Sequence, residues 1–93
     1  MKMSTQEQLL PELDLEIEEK KQNIIVLYND EVNTFDHVID MLVMACDHTP
    51  IQAEQCSMIV HYKGKCTVKT GSLDKLKPQY SSLLNAGLSA EII

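Results

Sequence analysis

The apolar residues of this chain occur in short runs whose spacing changes along the sequence, and this change of period limits the fold more than any other feature. Residues 24–28, with the sequence IIVLY, are continuously apolar and rich in β-branched side chains. Such a run is typical of a strand that is buried on both faces. The next apolar positions recur at the spacing of one helix face and are Phe35, Val38, Ile39, Leu42 and Cys46. The sequence therefore predicts a buried strand followed by an amphipathic helix.

Capping signals predict where the first two helices begin and end. Asn33 is expected to cap the first helix, which then runs to about Ala45. A second helix is expected to start at residues 49–52, TPIQ, which combine a hydroxyl cap, a proline in the first turn and a capping-box glutamine. Its inner stripe is expected to contain Ala53, Cys56 and Val60, and Gly64 supplies a left-handed stop.

The rest of the chain predicts strand, helix and strand. Residues 66–69 alternate like a half-exposed strand. A third helix is expected to start no earlier than about Asp74, because Pro78 is tolerated only near a helix start. Its inner face is expected to contain Leu76, Tyr80, Leu83 and Leu84, and residues 88–93 form the last strand. The order β-α-α-β-α-β predicts an α+β sandwich, with a three-stranded sheet covered on one side by three helices.

The first 22 residues differ in composition from the remainder. They carry six acidic side chains, three lysines and Pro11, and bury little apolar surface. We expect a flexible acidic tail over residues 1–22, with a short leucine-rich patch that either docks on a partner or has no role, and one compact domain over residues 23–93.

Charge and hydropathy exclude several classes of function. The net charge of −6, with 8 lysines against 14 acidic residues, argues against nucleic acid and fits a cationic partner better. No signal-peptide pattern and no run of about 18 apolar residues occurs. We therefore expect a cytoplasmic monomer that does not enter membranes. Three cysteines without a CxxC pair suggest free thiols in a reducing compartment.

Polar residues after the first strand are the first candidates for a functional site. Asn29, Asp30 and Glu31 offer oxygen acceptors for an ammonium group, or they merely form the turn. Asp30 is expected to be exposed. His61 lies near the end of the second helix, where it either interacts with the helix dipole or contacts a ligand. His37 and His48 are interpreted as exposed helix-surface and loop residues.

Three linked motifs are similar to those of one known family. Residues 27–31 (LYNDE), 38–42 (VIDML) and 60–65 (VHYKGK) follow the order and spacing of the ClpS family of protease adaptors, which has VxLxNDD, FVxDVL and VHxxGKA-like segments. The match covers about residues 24–69 well. The sequence departs from the family pattern at Glu31, at residues 33–35 and at Ser57.

The resemblance implies a binding adaptor that is not an enzyme and needs no cofactor or metal. It would hold the free N-terminal residue of a substrate, a bulky apolar one, and deliver that substrate to the N-terminal domain of a ClpA- or ClpC-like AAA+ unfoldase. Asn29, Asp30 and His61 would bind the N-terminal amine. The implied pocket residues are Asn33, Phe35, Val38, Ser57, Val60 and Leu88.

Two departures from the family bear on specificity. Phe35 stands where a methionine is common, and a stiff ring there would narrow one wall, unless it packs into the core. Ser57 stands where an apolar residue is common, and it would widen another wall and add a hydroxyl. We expect peptides that begin with tyrosine to bind relatively better, and peptides that begin with tryptophan relatively worse, than they would in the unaltered family pocket.

Other functions remain open at this stage. A Cys–His or Asp–His hydrolase lacks a convincing nucleophile, because Cys46 and Cys56 lie on apolar helix faces. A metal site would have to draw on ligands without the usual paired spacing, namely Cys46, His48, Cys56, His61 and Cys66. The C-terminal domain of the ribosomal stalk protein has a similar order of elements, but a shared fold does not establish a shared function.

Overall fold

The computed structural model describes residues 22–93 of the 93-residue chain, so nearly all of the predicted acidic tail lies outside the described residues. The elements occur in the predicted order and number. They are β1 (Asn23–Tyr28), α1 (Phe35–Cys46), α2 (Pro50–Lys63), β2 (Lys65–Gly71), α3 (Leu73–Asn85) and β3 (Ser89–Ile92). The predicted α+β fold, with three helices and a three-stranded antiparallel sheet, is confirmed.

Strand β1 lies at the centre of the sheet, with the order β2-β1-β3. Both neighbours pair with it antiparallel, and β2 shifts register between Ile25 and Val26. Its three middle residues are buried, as the continuous apolar run predicts. Ile25 and Leu27 point into the main core. Val26 lies between them in sequence, so its side chain points to the opposite face of the sheet, where it is also buried.

The core is built from the inner faces of the three helices on one side of the sheet. Leu42 and Cys46 of α1 are completely buried, and Val38 and Ile39 pack against the same cluster. In α3 the buried stripe is Leu76 and Leu83 with the partly buried Tyr80. Leu84 was expected on this face but is 43% exposed, because it follows Leu83 by one residue and is turned about 100° around the helix.

Several predicted boundaries and caps differ from the structure. Helix α3 begins at Leu73, one residue before the predicted limit, and Pro78 lies inside it. The helix continues past Pro78 because a proline at this position removes one backbone donor without removing the packing of the helix face. Helix α1 ends at Cys46, and Asp47 closes it in the left-handed conformation with φ of 58°.

The start of α1 is a second correction. Asn33 was expected as its cap, but the cap is Thr34, whose Oγ1 accepts a hydrogen bond of 3.1 Å from the backbone N–H of His37. The predictions for α2 are confirmed at both ends. Thr49 accepts from the backbone N–H of Gln52, and Gly64 ends the helix with φ of 93°.

Within residues 22–93 no helix has both the length and the apolar character needed to cross a membrane.

Two histidines are less exposed than predicted. His48, expected in an exposed loop, is 4% exposed, and its Nε2 donates to the Val68 carbonyl oxygen at 2.6 Å. His37 is half-buried, and its Nε2 lies 2.9 Å from the Ala86 carbonyl oxygen. Each ring forms a hydrogen bond with a backbone carbonyl group of a distant segment. A buried polar ring needs such a partner, but the local sequence does not reveal it.

Candidate functional site

The pairing of β1 with β2 brings the loop after β1 next to the end of α2. Tyr28 is paired with Lys65, and one residue later the Asn29 backbone N–H donates to the Gly64 carbonyl oxygen at 2.9 Å. Gly64 directly follows α2, and His61 lies in the last turn of that helix. The sheet register therefore places Asn29 and His61 at one end of the molecule, although 32 residues separate them.

A cavity of about 570 Å³ opens between this loop, the start of α1 and α2. It is lined by the three residues for which the sequence predicts amine binding, Asn29, Asp30 and His61. Five of the six predicted pocket residues also line it, namely Asn33, Phe35, Val38, Ser57 and Val60. Leu88, the sixth, instead lines a small neighbouring cavity of about 20 Å³ that shares Asn29, Asp30, Asn33, Val38 and Val60 with the large one.

Three further lining residues on α2 were missed by the sequence analysis. Glu54, Met58 and Tyr62 recur every four residues and form a strip that borders the buried positions of the helix. That spacing was the available signal. Glu31, already noted in the loop, also lines the cavity. With Asp30, Glu31 and Glu54 present and no lysine or arginine among its described lining residues, the cavity is acidic in character.

The carboxylate of Asp30 organises the loop that forms one wall. Its Oδ1 accepts from the backbone N–H groups of Val32 at 2.9 Å and Asn33 at 2.8 Å. Its Oδ2 accepts from Asn33 Nδ2 at 2.8 Å and from the Ser89 hydroxyl at 3.3 Å. These four bonds use the acceptor positions of a carboxylate. The expectation that Asp30 is exposed is wrong, because it is half-buried beneath these donors.

The same bonds keep Asp30 charged. The hydrogen bond from the backbone N–H of Asn33 is the largest cause that lowers the pKa of Asp30 below its ordinary value. Burial opposes this effect by raising the pKa. The hydrogen bonds from the Asn33 side chain, Val32 and Ser89 lower the pKa further. The site therefore holds a full negative charge at neutral pH.

Asn33 connects this loop to the turn between α3 and β3. Its Nδ2 donates both to Asp30 and to the Gly87 carbonyl oxygen, the latter at 2.9 Å. This explains why Asn33 does not cap α1, since its side chain is engaged with partners outside the helix. Gly87 has φ of 87°, a conformation that favours glycine. The turn and the loop are thus held together by Asn33.

His61 and Phe35 also line the cavity. His61 is exposed, and its ring meets that of Tyr62 edge to face, with centroids 4.9 Å apart. Its nitrogens make no hydrogen bond to the described residues, so they are free to meet a ligand. Phe35 is 41% exposed and lies outside the core cluster. The possibility that Phe35 packs into the core is therefore excluded.

Cys46 and Cys56 are not activated as nucleophiles, and the described part of the chain contains no group of side chains suited to a metal ion. All three cysteines are free. Burial raises the pKa of Cys46 to about 11, and burial together with the neighbouring Cys66 thiol raises the pKa of Cys56 to about 11. Both are therefore protonated at neutral pH. Among residues 22–93 no three His, Cys, Asp or Glu side chains are grouped to hold a metal ion.

Comparison with protein families decides the class of protein. The family model described as "ATP-dependent Clp protease adaptor protein ClpS" matches residues 18–91. The chain belongs to the ClpS family. ClpS proteins are adaptors and not enzymes, so the hydrolase and ribosomal-stalk interpretations are set aside.

A solved ClpS structure has the same fold as this chain. The structure of Agrobacterium tumefaciens ClpS2 bound to L-phenylalaninamide matches with a TM-score of 0.68 and 17% sequence identity, over 80% of this chain and 99% of that one. No curated protein sequence matches this chain significantly. The ClpS fold is therefore retained here at low sequence identity.

Proposed function

We propose that this ClpS protein binds the free N-terminal residue of substrate polypeptides in the 570 Å³ cavity and presents those substrates to a Clp unfoldase. The observation that carries the proposal is the meeting of ammonium acceptors and apolar walls in one cavity. Asn29, Asp30 and His61 lie beside Phe35, Val38 and Val60. The Agrobacterium ClpS2 structure supports it, since phenylalaninamide carries a free amine next to an apolar side chain.

An N-terminal residue has two features that the cavity matches. Its amine has a pKa of about 8 and is largely protonated at neutral pH. The Asn29 side chain and the ring of His61 are free to accept hydrogen bonds from it, directly or through water. Asp30 supplies the negative charge, and an ammonium that bonds to its Oδ2 would replace the Ser89 hydroxyl, its longest partner at 3.3 Å.

The apolar part of the cavity would hold the first side chain. Burying one leucine or phenylalanine side chain contributes about 1.5 to 3 kcal/mol before the cost of association. The charge-assisted hydrogen bonds of the amine contribute a similar amount each. Together these support micromolar affinity for peptides that begin with a bulky apolar residue.

The first prediction compares free and acetylated peptides. Peptides beginning with Leu or Phe should bind with micromolar Kd, and the same peptides with an acetylated N-terminus should bind at least tenfold more weakly, because acetylation removes the charge that Asp30 attracts. Titration calorimetry measures both. Equal affinity for free and blocked peptides would contradict amine recognition.

Two variants test the roles within the site. Asp30→Ala should weaken binding of the free peptide most, since it removes the charge and loosens the loop together. His61→Ala should weaken it less, because His61 offers one neutral acceptor. His61→Ala should leave the residual affinity for the acetylated peptide nearly unchanged, whereas Asp30→Ala should weaken it by a smaller factor than for the free peptide, because the loosened loop forms one wall of the cavity.

The partner proposal rests on family membership. We propose that the N-terminal domain of a ClpA- or ClpC-like AAA+ unfoldase binds this protein on a surface away from the cavity. The family description, which names an ATP-dependent Clp protease adaptor, supports such a partner. A pull-down from the native cell extract, followed by identification of an AAA+ unfoldase, tests it.

A further inference from the structure

Ser57 is a polar residue at a position where α2 is otherwise apolar. The buried positions of this helix are Ala53, Ser57 and Val60, and Ser57 is only 2% exposed. The sequence pattern assigned this inner stripe to Ala53, Cys56 and Val60, but Cys56 is only half-buried. Ser57 therefore occupies a core position of the helix, and it also lines the cavity.

The hydroxyl of Ser57 has no hydrogen-bond partner among the described residues. A helical serine commonly bonds to the carbonyl oxygen four residues earlier, here Ala53, and this bond is not made. Buried polar groups in proteins are nearly always paired, and an unpaired one lowers stability. An alanine would fill the same place without that cost. Among the described residues His48 Nδ1 is also buried and unpaired, but of the two residues only Ser57 lines the cavity, where a ligand could supply the missing partner.

The position of Ser57 relative to His61 indicates which part of a ligand would reach it. The two residues are four apart on one helix, so they share a face and are separated by slightly more than one turn, about 6 Å along the axis. His61 is exposed at the rim, whereas Ser57 is buried. A ligand whose amine lies at the rim would therefore direct its side chain into the cavity toward Ser57. The Ser57 hydroxyl oxygen is closed to water in the free protein, so a neighbouring side chain has to move for the ligand to reach it. The reach of a tyrosine side chain is similar to one helical turn.

We infer that Ser57 is a specificity-determining residue that favours an N-terminal tyrosine over phenylalanine. The inference rests on the proposed amine-binding function. The two side chains have the same ring and differ only in the phenol hydroxyl, which can both donate to and accept from the serine hydroxyl. Tyrosine pairs the unpaired hydroxyl on binding, whereas phenylalanine leaves it buried and unpaired.

The test is a comparison of four affinities. Peptides that differ only in Tyr or Phe at the first position are titrated into the wild-type protein and into Ser57→Ala. The wild type should prefer the Tyr peptide by about three- to tenfold, the range expected for one hydrogen bond. In Ser57→Ala the ratio of the affinities for the Tyr and Phe peptides should fall to about one or below, because the phenol hydroxyl would then be the unpaired group. Ser81→Ala, an exposed position on α3, is the matched control and should keep the wild-type ratio.

Each outcome bears on a different statement. The same Tyr-to-Phe ratio in wild type and Ser57→Ala would overturn the role of Ser57 while leaving amine recognition intact. Failure of the wild type to bind either free peptide would overturn the proposed function and this inference with it. Thermal unfolding without ligand is a further check, since Ser57→Ala should be at least as stable as the wild type. Marked destabilisation would mean that the hydroxyl already has a partner within the protein, and would also overturn the inference.

Discussion

Asp30 shows how one residue can combine a structural role with a proposed binding role. Its carboxylate accepts four hydrogen bonds within the protein, from Val32, Asn33 and Ser89. The turn-forming role and the ligand-binding role, which the sequence presents as alternatives, are therefore compatible. The loop bonds hold the charge in place at the cavity wall, where an ammonium would meet it.

Acid pH should weaken the fold through this residue. The pKa of Asp30 is lowered in the folded protein, so the folded state releases the proton more readily than the unfolded chain. The stability contributed by the ionised carboxylate is therefore present above its unfolded pKa of about 4 and is lost as pH falls through the lower folded value. Asp30→Asn should reduce the free energy of unfolding by about 1 to 2 kcal/mol at pH 7, and this difference should shrink below pH 4.

Urea unfolding of wild type and Asp30→Asn at pH 7, 5, 4 and 3 measures the effect. Asp36→Asn, an exposed first-turn substitution on α1, serves as the comparison for general loss of negative charge. The assignment of the lowered pKa to the loop bonds would be contradicted if the difference in unfolding free energy between wild type and Asp30→Asn stayed constant down to pH 3.

At the scale of elements, helix α2 contributes two neighbouring strips of residues to the lining of the cavity. Its buried stripe contributes Ser57 and Val60, while the neighbouring strip of Glu54, Met58 and Tyr62 stands at the cavity edge. The loop before α2 is fixed to the sheet through His48, whose ring bonds to the Val68 carbonyl oxygen. The orientation of α2, and with it the position of His61, depends on this buried contact.

Removal of the His48 ring should therefore destabilise the protein. His48→Ala deletes a buried ring together with its hydrogen bond to β2, and the expected loss is about 2 to 3 kcal/mol of unfolding free energy. His61→Ala is the matched control, because its ring is exposed, and the change should stay within about 0.5 kcal/mol. Urea unfolding at pH 7.5 measures both variants. Equal stability of the two would show that the His48 contact does not support the fold.

At the scale of the whole molecule, the cavity and the start of the described chain lie at opposite ends of β1. Asn23 pairs with Gly71 at one end, and Tyr28 pairs with Lys65 at the other, beside the cavity. Five residue steps along a strand correspond to about 17 Å. The described chain therefore begins at the end of β1 that lies away from the cavity.

Deletion of residues 1–22 should separate binding from delivery. Peptide affinity should stay within about twofold of the full-length value, because the cavity residues all follow the deletion. Degradation of a peptide-tagged substrate by the cognate Clp protease should fall strongly if the tail is engaged by the unfoldase. Replacement of these residues by a Gly/Ser segment of equal length is the control for length alone. Normal delivery by the truncated protein would show the tail to be a passive leader.

The local sequence determined the kind and order of the elements in this protein. The continuous run at residues 24–28 marked the central strand, residues 49–52 marked the start of α2, and Gly64 marked its end, because these signals depend on neighbouring residues only. The spacing of the three motifs indicated the family, and eight of the nine residues named for the site line the main cavity.

Only the tertiary structure decided how the polar side chains are used. Asn33 donates to Gly87, 54 residues away, Asp30 accepts from Ser89, 59 residues away, and His48 reaches Val68, 20 residues away. No local pattern reveals such partners, so Asn33 was mistaken for a helix cap and His48 for an exposed loop residue. The resemblance named Ser57 as a pocket residue, but the sequence did not show that its side chain is buried or that its hydroxyl is unpaired. Its burial follows from the packing of α2 against the sheet, and the lack of a partner for its hydroxyl is a property of the space around it.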